Sequence, residues 1–236
     1  MTQVVSLSFF HFATPVSKLW AFAMMGIARG QMAAVPDIEF WKLCGSGSGE
    51  GFTPIPNTGV YAILATWPDE ATARARTQNA DIYCKYHTRA DESWTVYLST
   101  ASARGAWSGD APFRETSSYT SGPLAVLTRA SLRPAAAVKF WQKVPDISTV
   151  IGDDTNVLFK IGIGEVPWLQ QVTFSIWPDT SCMRDFAHKD GPHARAIKAV
   201  RDGNWFREEL YARFTICGDY GTWGGSSPLT LTEVPA

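Results

Sequence analysis

Histidine and cysteine are the residues of this chain best suited to bind a metal or act as nucleophiles, and there are four of each. His11 lies in an aromatic run with Phe9, Phe10 and Phe12 and reads as packed. His87 stands beside Lys85 and Arg89, and His188 beside Lys189 and Asp190, both solvated settings. His193 differs. It follows Asp190-Gly191-Pro192, in which Pro192 suits a first helical position and Asp190 or Gly191 a cap. It is therefore predicted in the first turn of a new helix, in line with Ile197 and Val200 on the apolar face. The positive end of a helix disfavours imidazolium, and the neutral ring is the form that ligates metal. One imidazole does not make a zinc site, which takes three or four ligands, whereas a haem iron is held by one proximal histidine. A hydrogen-bonded core histidine is the commoner use of such a residue and stays open. Cys44, at a strand end beside a glycine loop, is the rival axial ligand, again against the commoner reading of an inert buried thiol.

Other chemistries find less support. Cys44, Cys84, Cys182 and Cys217 form no C-x-x-C pair, which fits neither a zinc module nor a small disulfide scaffold and leads us to expect a reduced, cytoplasmic protein. No G-x-S-x-G elbow is present. Asp91/Glu92 and Glu208/Glu209 are sequence neighbours, so neither makes an acid–base pair by itself. The glycines from Gly45 to Gly51 resemble a nucleotide loop, but they run into Phe52-Thr53-Pro54-Ile55-Pro56-Asn57 rather than opening a helix, which a dinucleotide fingerprint requires. They read as a hairpin loop at a barrel mouth. Redox chemistry would then draw its electrons from outside. A net charge of −1 and a pI near 6.4 lack the basic surface of a nucleic-acid binder.

The positioning elements come in duplicate. Trp67-Pro68-Asp69 returns as Trp177-Pro178-Asp179, 110 positions later, and Val35-Pro36-Asp37 as Val144-Pro145-Asp146. Phe40–Gly45 is echoed by Leu158–Gly162, and Trp107-Ser108-Gly109 by Trp223-Gly224-Gly225. In the first half, periodicity predicts strands over Val4–Phe12, Ile38–Cys44, Gly59–Trp67 and Trp94–Thr100, with helices from Pro15 to Gly30 and from Asp69 to Arg89. In the second, strands are predicted over Leu124–Leu132, Val157–Ile163, Gln170–Trp177 and Phe206–Cys217, with helices over Pro134–Val144 and, broken, over Asp179–Arg201. Two βαββαβ units imply an α+β protein of tandem ferredoxin-like modules, 1–104 and 124–236, joined by a linker at 105–123. Their antiparallel sheets are expected to face each other in a dimeric α+β-barrel-type fold. His193 has Tyr83 as its counterpart in the first half, which makes it an asymmetric feature of a repeated chain.

Hydrophobic content of 45%, with ten tryptophans, suffices for a sizeable core or an aromatic-lined cavity. The N-terminus shows no charged region or small-residue cleavage site of a secretory signal. The apolar stretch Leu19–Ala28 is too short to span a bilayer, which takes about 20 residues. The helix Val16–Met32 is nonetheless apolar on more than one face, with Leu19, Trp20, Phe22, Ala23, Met24, Met25 and Ile27. It is a candidate for peripheral contact with the inner membrane; burial against the sheet or in a homo-oligomer interface is the other use.

Long runs of this chain resemble the spheroidene monooxygenase family, carotenoid-modifying enzymes of purple phototrophic bacteria. They are Phe40–Gly47 with Gly49–Pro54, Ala62–Asp69, Phe159–Glu165, Gln171–Asp179 and His193–Ile197 continuing through Trp205–Phe214. Together they lie within Ser6–Gly225; 113–121 and 76–88 look divergent. The resemblance implies a monooxygenase with haem b that uses O₂ and reduced ferredoxin to place a keto group at C-2 of an acyclic carotenoid, converting spheroidene to spheroidenone. On that reading His193 is the proximal ligand in the second module, and Lys160 or Arg195 neutralises the propionates. The tandem modules also resemble haem proteins of the chlorite dismutase and aldoxime dehydratase type. A haem lyase acting on a small nitrogen compound, or a non-enzymatic haem or carotenoid carrier, is accordingly the alternative.

Overall fold

Strict alternation in the strands sorts side chains onto two faces, and both faces of the first-half strands carry apolar residues, so that part of the sheet must be covered on both sides. The computed structural model describes residues 2–49, 53, 55–142, 157–188, 203 and 205–229. It is an α+β protein whose strands close into one antiparallel barrel. The first half supplies β1 (Val4–His11), α1 (Pro15–Ala33), β2 (Phe40–Gly47), β3 (Pro56–Trp67), α2 (Glu70–Asn79), α3 (Asp81–Arg89) and β4 (Glu92–Gly105). The second supplies β5 (Leu124–Leu132), a helix α4 over 134–142, β6 (Phe159–Gly164), β7 (Gln170–Trp177), α5 (Thr180–His188) and β8 (Phe206–Gly221). Around the ring the order is β1-β3-β2-β6-β7-β5-β8-β4. Each half thus contributes four adjacent strands in the same relative order, and β2–β6 and β4–β8 join the halves.

The interior is packed solid. Val5, Leu7, Phe9, Leu64, Val96, Leu98, Leu127, Ile161, Phe174, Ile176 and Phe214 point inward and are buried. Phe9 lies at the centre of an aromatic cluster, 5.3 Å from Phe159, 5.7 Å from Trp94, 5.9 Å from Trp223 and 6.0 Å from Phe174, centroid to centroid. Outside the first-half strands, Phe10, Phe12, Leu43, Tyr61, Ile63, Trp67 and Tyr97 form a second core under α1, α2 and α3.

The repeated Trp-Pro-Asp has one job in both places. Trp67 and Trp177 are buried on the outer face at the end of a strand. The aspartate then caps the next helix: Asp69 accepts from the Thr72 backbone N–H at 2.8 Å, Asp179 from those of Ser181 and Cys182 at 2.7 and 2.9 Å. Thr14 does the same for α1 through the Ser17 N–H at 3.2 Å.

The helix predicted over Asp69–Arg89 is two. Ala80 leaves the helical region at ψ 137, Asn79 ends α2 and Asp81 opens α3. The closing strands β4 and β8 outrun their predicted ends because they pair with each other from Trp94–Gly221 to Gly105–Leu210. The Gly/Ser/Pro-rich segment 105–123 packs as part of the fold: Trp107 and Phe113 are buried in the barrel core, and Thr116 and Ser117 donate to the Thr100 carbonyl. The continuation of the helical region beyond His188 lies outside the described residues.

Truncating Phe9 to alanine removes the ring on which the aromatic cluster converges. It is expected to cost about 3–5 kcal/mol, read as a lower urea midpoint at unchanged slope. A loss under about 1 kcal/mol would mean the interior is not packed as described.

Candidate functional site

Equivalent rows across the two outer faces show where the halves part. In the first half Trp41, Ala65, Ser6 and Tyr97 are register partners in succession, and the next row is Leu43, Ile63, Ser8 and Thr95. The second half replaces them with Lys160, Ser175, Val126 and Arg213, then Gly162, Thr173, Thr128 and Tyr211. Phe10 becomes Ala130 by the same register. Over β6, β7 and β5 no outward side chain of the second row exceeds threonine, across about 10 Å of sheet. The face that in one half carries a core is, in the other, stripped of large side chains in its second row over β6, β7 and β5, beside a first row of Lys160, Ser175, Val126 and Arg213.

Of the residues singled out from sequence, Lys160 lies on this face, on β6, and is half-buried. His193 and Arg195 lie outside the described residues; they follow α5, which packs on β7 of the same sheet. Cys44 is elsewhere. It points into the barrel and is fully buried, and burial together with the Glu165 carboxylate pushes its thiol far above the ordinary range, against the opposing pull of Lys42 and Arg129. A protonated thiol in the barrel core is not an axial ligand for a group on the outer face.

His87 is not a surface residue as its charged neighbours suggested. Its Nε2 is 3.0 Å from the Thr77 carbonyl and its Nδ1 3.0 Å from Ser93 Oγ, with Phe10 against the ring at 5.2 Å. Nε2 therefore carries the proton, and Nδ1 accepts from the hydroxyl. His11 packs edge-on to Trp223 at 6.4 Å. For His188 the side chain lies outside what is described. Among the described residues no group of three or more His, Cys, Asp or Glu is arranged to hold a metal.

The sequence reading missed a buried polar cluster at one end of the barrel interior. Lys42 pairs with Glu165 at 3.2 Å and donates to Ser108 Oγ at 2.9 Å; Trp107 Nε1 donates to the other Glu165 oxygen at 2.6 Å. Arg129, only 1% exposed, pairs with Glu208 and lies over the Trp107 ring at 5.3 Å. Glu208 in turn accepts from the backbone N–H groups of Ser108 and Gly109 at 2.9 and 2.8 Å. These two residues have φ of 58° and 87°, the left-handed pair that a tight two-residue turn needs. At the opposite end Glu92 holds Gly224 and Gly225, φ 69° and 88°, in the same way. The matched Trp-x-Gly segments are thus two carboxylate-clamped turns that close the barrel's ends. Only one end has the cations: Phe9 and Ile161 occupy the positions equivalent to Arg129 and Lys42. Its charges pair as Lys42–Glu165 and Arg129–Glu208, although the buried Arg129 Nε has no hydrogen-bond partner among the described residues, and the cluster holds the Trp107 turn.

No protein-family model matches the chain. A protein of Cereibacter sphaeroides named spheroidene monooxygenase is 49% identical over 238 residues, spanning 99% of this chain and 74% of that protein. One of the same name from Rhodobacter capsulatus is 46% identical over 96% of this chain and 95% of its own length. A third, from Rubrivivax gelatinosus, is 31% identical over 89% and 81%. Among solved structures, an aldoxime dehydratase superposes with a TM-score of 0.57 at 10% identity, covering 91% of this chain and 82% of that one. A butyraldoxime complex of aldoxime dehydratase gives 0.59 at 9%, covering 91% and 80%. At such identities the likeness is one of fold.

Burial raises the Glu208 carboxyl, but the Gly109 and Ser108 N–H groups and the Arg129 guanidinium outweigh it and hold the group below the usual carboxylate range. Its folded pKa being depressed, its contribution is complete above the unfolded value and lost as pH falls through the folded one. Glu208→Gln leaves a buried guanidinium without its carboxylate and is expected to cost about 3–5 kcal/mol at neutral pH. The variant should also lose stability less steeply than the parent as pH drops below about 4, in chemical denaturation at each pH. Equal acid slopes would show that this carboxylate is not held by the clamp.

Proposed function

The chain belongs to the spheroidene monooxygenase family, and from that premise we propose that it is a carotenoid monooxygenase that introduces a keto group at C-2 of an acyclic carotenoid such as spheroidene. The observation that carries this reading is an identity of 49% sustained along 99% of the chain. The two halves then read as duplicated ferredoxin-like modules, 1–104 and 124–236, an interpretation supported by their common strand order and paired turn clamps.

The cofactor in this proposal is one haem b, carried by the second module. When bound, its iron supplies the activation of O₂. The fit rests on the outer face of β5–β7, where Gly162, Thr173, Thr128 and Ala130 leave room and Lys160 offers a cation at the border for a propionate. His193 is the proposed proximal ligand and Arg195 a second propionate partner, both from the segment that follows α5. Apolar Val126 and the buried Trp177 and Leu124 flank the face and keep water from one side of it.

The substrate's own chemistry sets the stoichiometry. Oxygenation of a methylene consumes one O₂ and two electrons and yields an alcohol and water. A second round at the same carbon gives a geminal diol, which loses water to the ketone. The product has gained one oxygen and lost two hydrogens. The glycines Gly45 and Gly47 lie in strand β2, paired to β3, rather than at the start of a helix, and the proposed electron donor is a separate protein, reduced ferredoxin.

Purified protein incubated with haem, O₂, reduced ferredoxin and spheroidene in detergent is expected to yield spheroidenone, followed by mass and absorption. Omission of reductant or of O₂ should abolish it; turnover without reductant would overturn the donor assignment. His193→Ala is expected to weaken or shift the Soret band and remove activity. An unaltered spectrum with full turnover in that variant would exclude His193 as the ligand.

A further inference from the structure

The helix α1 is amphipathic in the wrong sense on half of its circumference. Ala21, Met24, Ala28 and Met32 face the sheet and are buried. On the opposite side Val16, Leu19, Phe22 and Ile27 stand out at 80, 69, 66 and 63% exposure, with Ala23, Gly26 and Gly30 between them. At 100° per residue these positions make one continuous ridge about 20 Å long. Trp20 and Met24, apolar in the sequence pattern, are not part of it: Trp20 packs on Phe12 and Tyr86, and Met24 is core. A contiguous exposed apolar patch of this kind marks a surface that meets something.

The flanks say what. Lys18 and Arg29 lie along one side of the ridge. Along the other runs α3, bound to α1 through Lys85 Nζ, which donates to Gln31 at 2.6 Å, and through Arg89, stacked over Trp20 at 4.7 Å. None of these four cations is in an ion pair among the described residues. α1 itself has no acidic residue, and three nearby carboxylates are engaged, Asp37 with Arg76, Glu39 with Arg114 and Asp91 with the Ala13 N–H, so the one exposed carboxylate on the α3 edge is Asp81, a turn before Lys85. A second copy is a poor occupant. A parallel twofold sets Lys18 and Arg29 against Lys85 and Arg89 of the partner, and an antiparallel twofold sets each pair against itself. Either way cations meet cations. An anionic bilayer surface complements both features, taking the apolar side chains at the headgroup–acyl boundary and the flanking cations against lipid phosphates.

We propose that α1 and the basic edge of α3 dock this protein on an anionic lipid bilayer, with Val16, Leu19, Phe22 and Ile27 inserted and Lys18, Arg29, Lys85 and Arg89 on the headgroups. Attachment is peripheral: among the described residues no helix is long and apolar enough to cross a membrane. The proposal stands on this surface alone and does not rest on the reaction assigned above.

Flotation with vesicles of phosphatidylcholine plus phosphatidylglycerol, against phosphatidylcholine alone, tests it. The parent protein is expected to bind the anionic vesicles, and raised salt should weaken the binding. Leu19→Ser/Phe22→Ser/Ile27→Ser, all at exposed positions, should lower partitioning by about tenfold or more at an unchanged melting temperature. Arg29→Glu/Lys85→Glu should abolish the preference for anionic lipid while retaining the fold. Failure of the parent to float, or equal flotation of both variants, overturns the proposal. So does a dimer in sedimentation velocity that the serine variant dissociates, which would give the ridge to a second copy. Carotenoid turnover in detergent is read separately, so docking and chemistry fail independently.

Discussion

Closure of the eight-strand ring is the constraint from which the remaining features follow. A barrel of this strand number has an interior just wide enough for side chains, and here Phe9, Trp94, Phe159 and Phe174 fill it. Closure is uneven. β4 and β8 pair over their whole length, whereas β2 and β6 meet only at Gly45–Gly164 and Ser46–Ile163. The Lys42–Glu165 pair crosses that short seam, and the Trp107–Glu165 hydrogen bond ties it to the turn that follows β4. The buried polar cluster is therefore best understood as its staple: a neutral set of charges in the one place where backbone hydrogen bonds are too few.

Duplication turns a single structure into a controlled comparison. Both halves share backbone, register, Trp-Pro-Asp caps and carboxylate-clamped turns, so differences between equivalent positions are not demanded by the fold. Leu43 against Gly162, Ile63 against Thr173 and Phe10 against Ala130 lose bulk on the second outer face, whereas Ser6 against Val126, Ser8 against Thr128, Ala65 against Ser175 and Thr95 against Tyr211 gain it. Each such loss under a covering helix would open a cavity costing roughly 24 cal/mol per Å³. The three losses lie on the neighbouring strands β6, β7 and β5, and they are the observation behind the proposed cofactor site.

Much of this was legible in the sequence, for reasons that are local. β5 and β7 fall where alternation put them because their apolar residues mark both faces clearly. The helix starts at Asp69 and Asp179 rest on short-range interactions that the sequence states outright. What escaped it is long-range or conformational. The break at Ala80 has no glycine or proline to announce it; Asn79 and Asp81, good residues for ending and opening helices, were the available signal. His87 was misjudged because Lys85 and Arg89 lie on other faces of the same helix. Lys42, Trp107, Arg129, Glu165 and Glu208 come from five distant positions, and only barrel closure brings them together. Glu208 and Glu209 were rightly denied an acid–base role, yet nothing local shows that Glu208 turns inward to a buried arginine.

The two surfaces given a role are neighbours, although they belong to different halves. α1 lies on β2 and β3, and β2 is hydrogen-bonded to β6, the strand that carries Lys160 and Gly162. The ridge and the stripped face are thus separated by one strand seam rather than by the barrel's diameter. At that seam the paired outward positions are Gly45 and Gly164, so no side chain rises between the two arcs, while the charged groups nearby, Lys42 and Glu165, are bound to each other. A bilayer against α1 would lie alongside the β6 border of the stripped face.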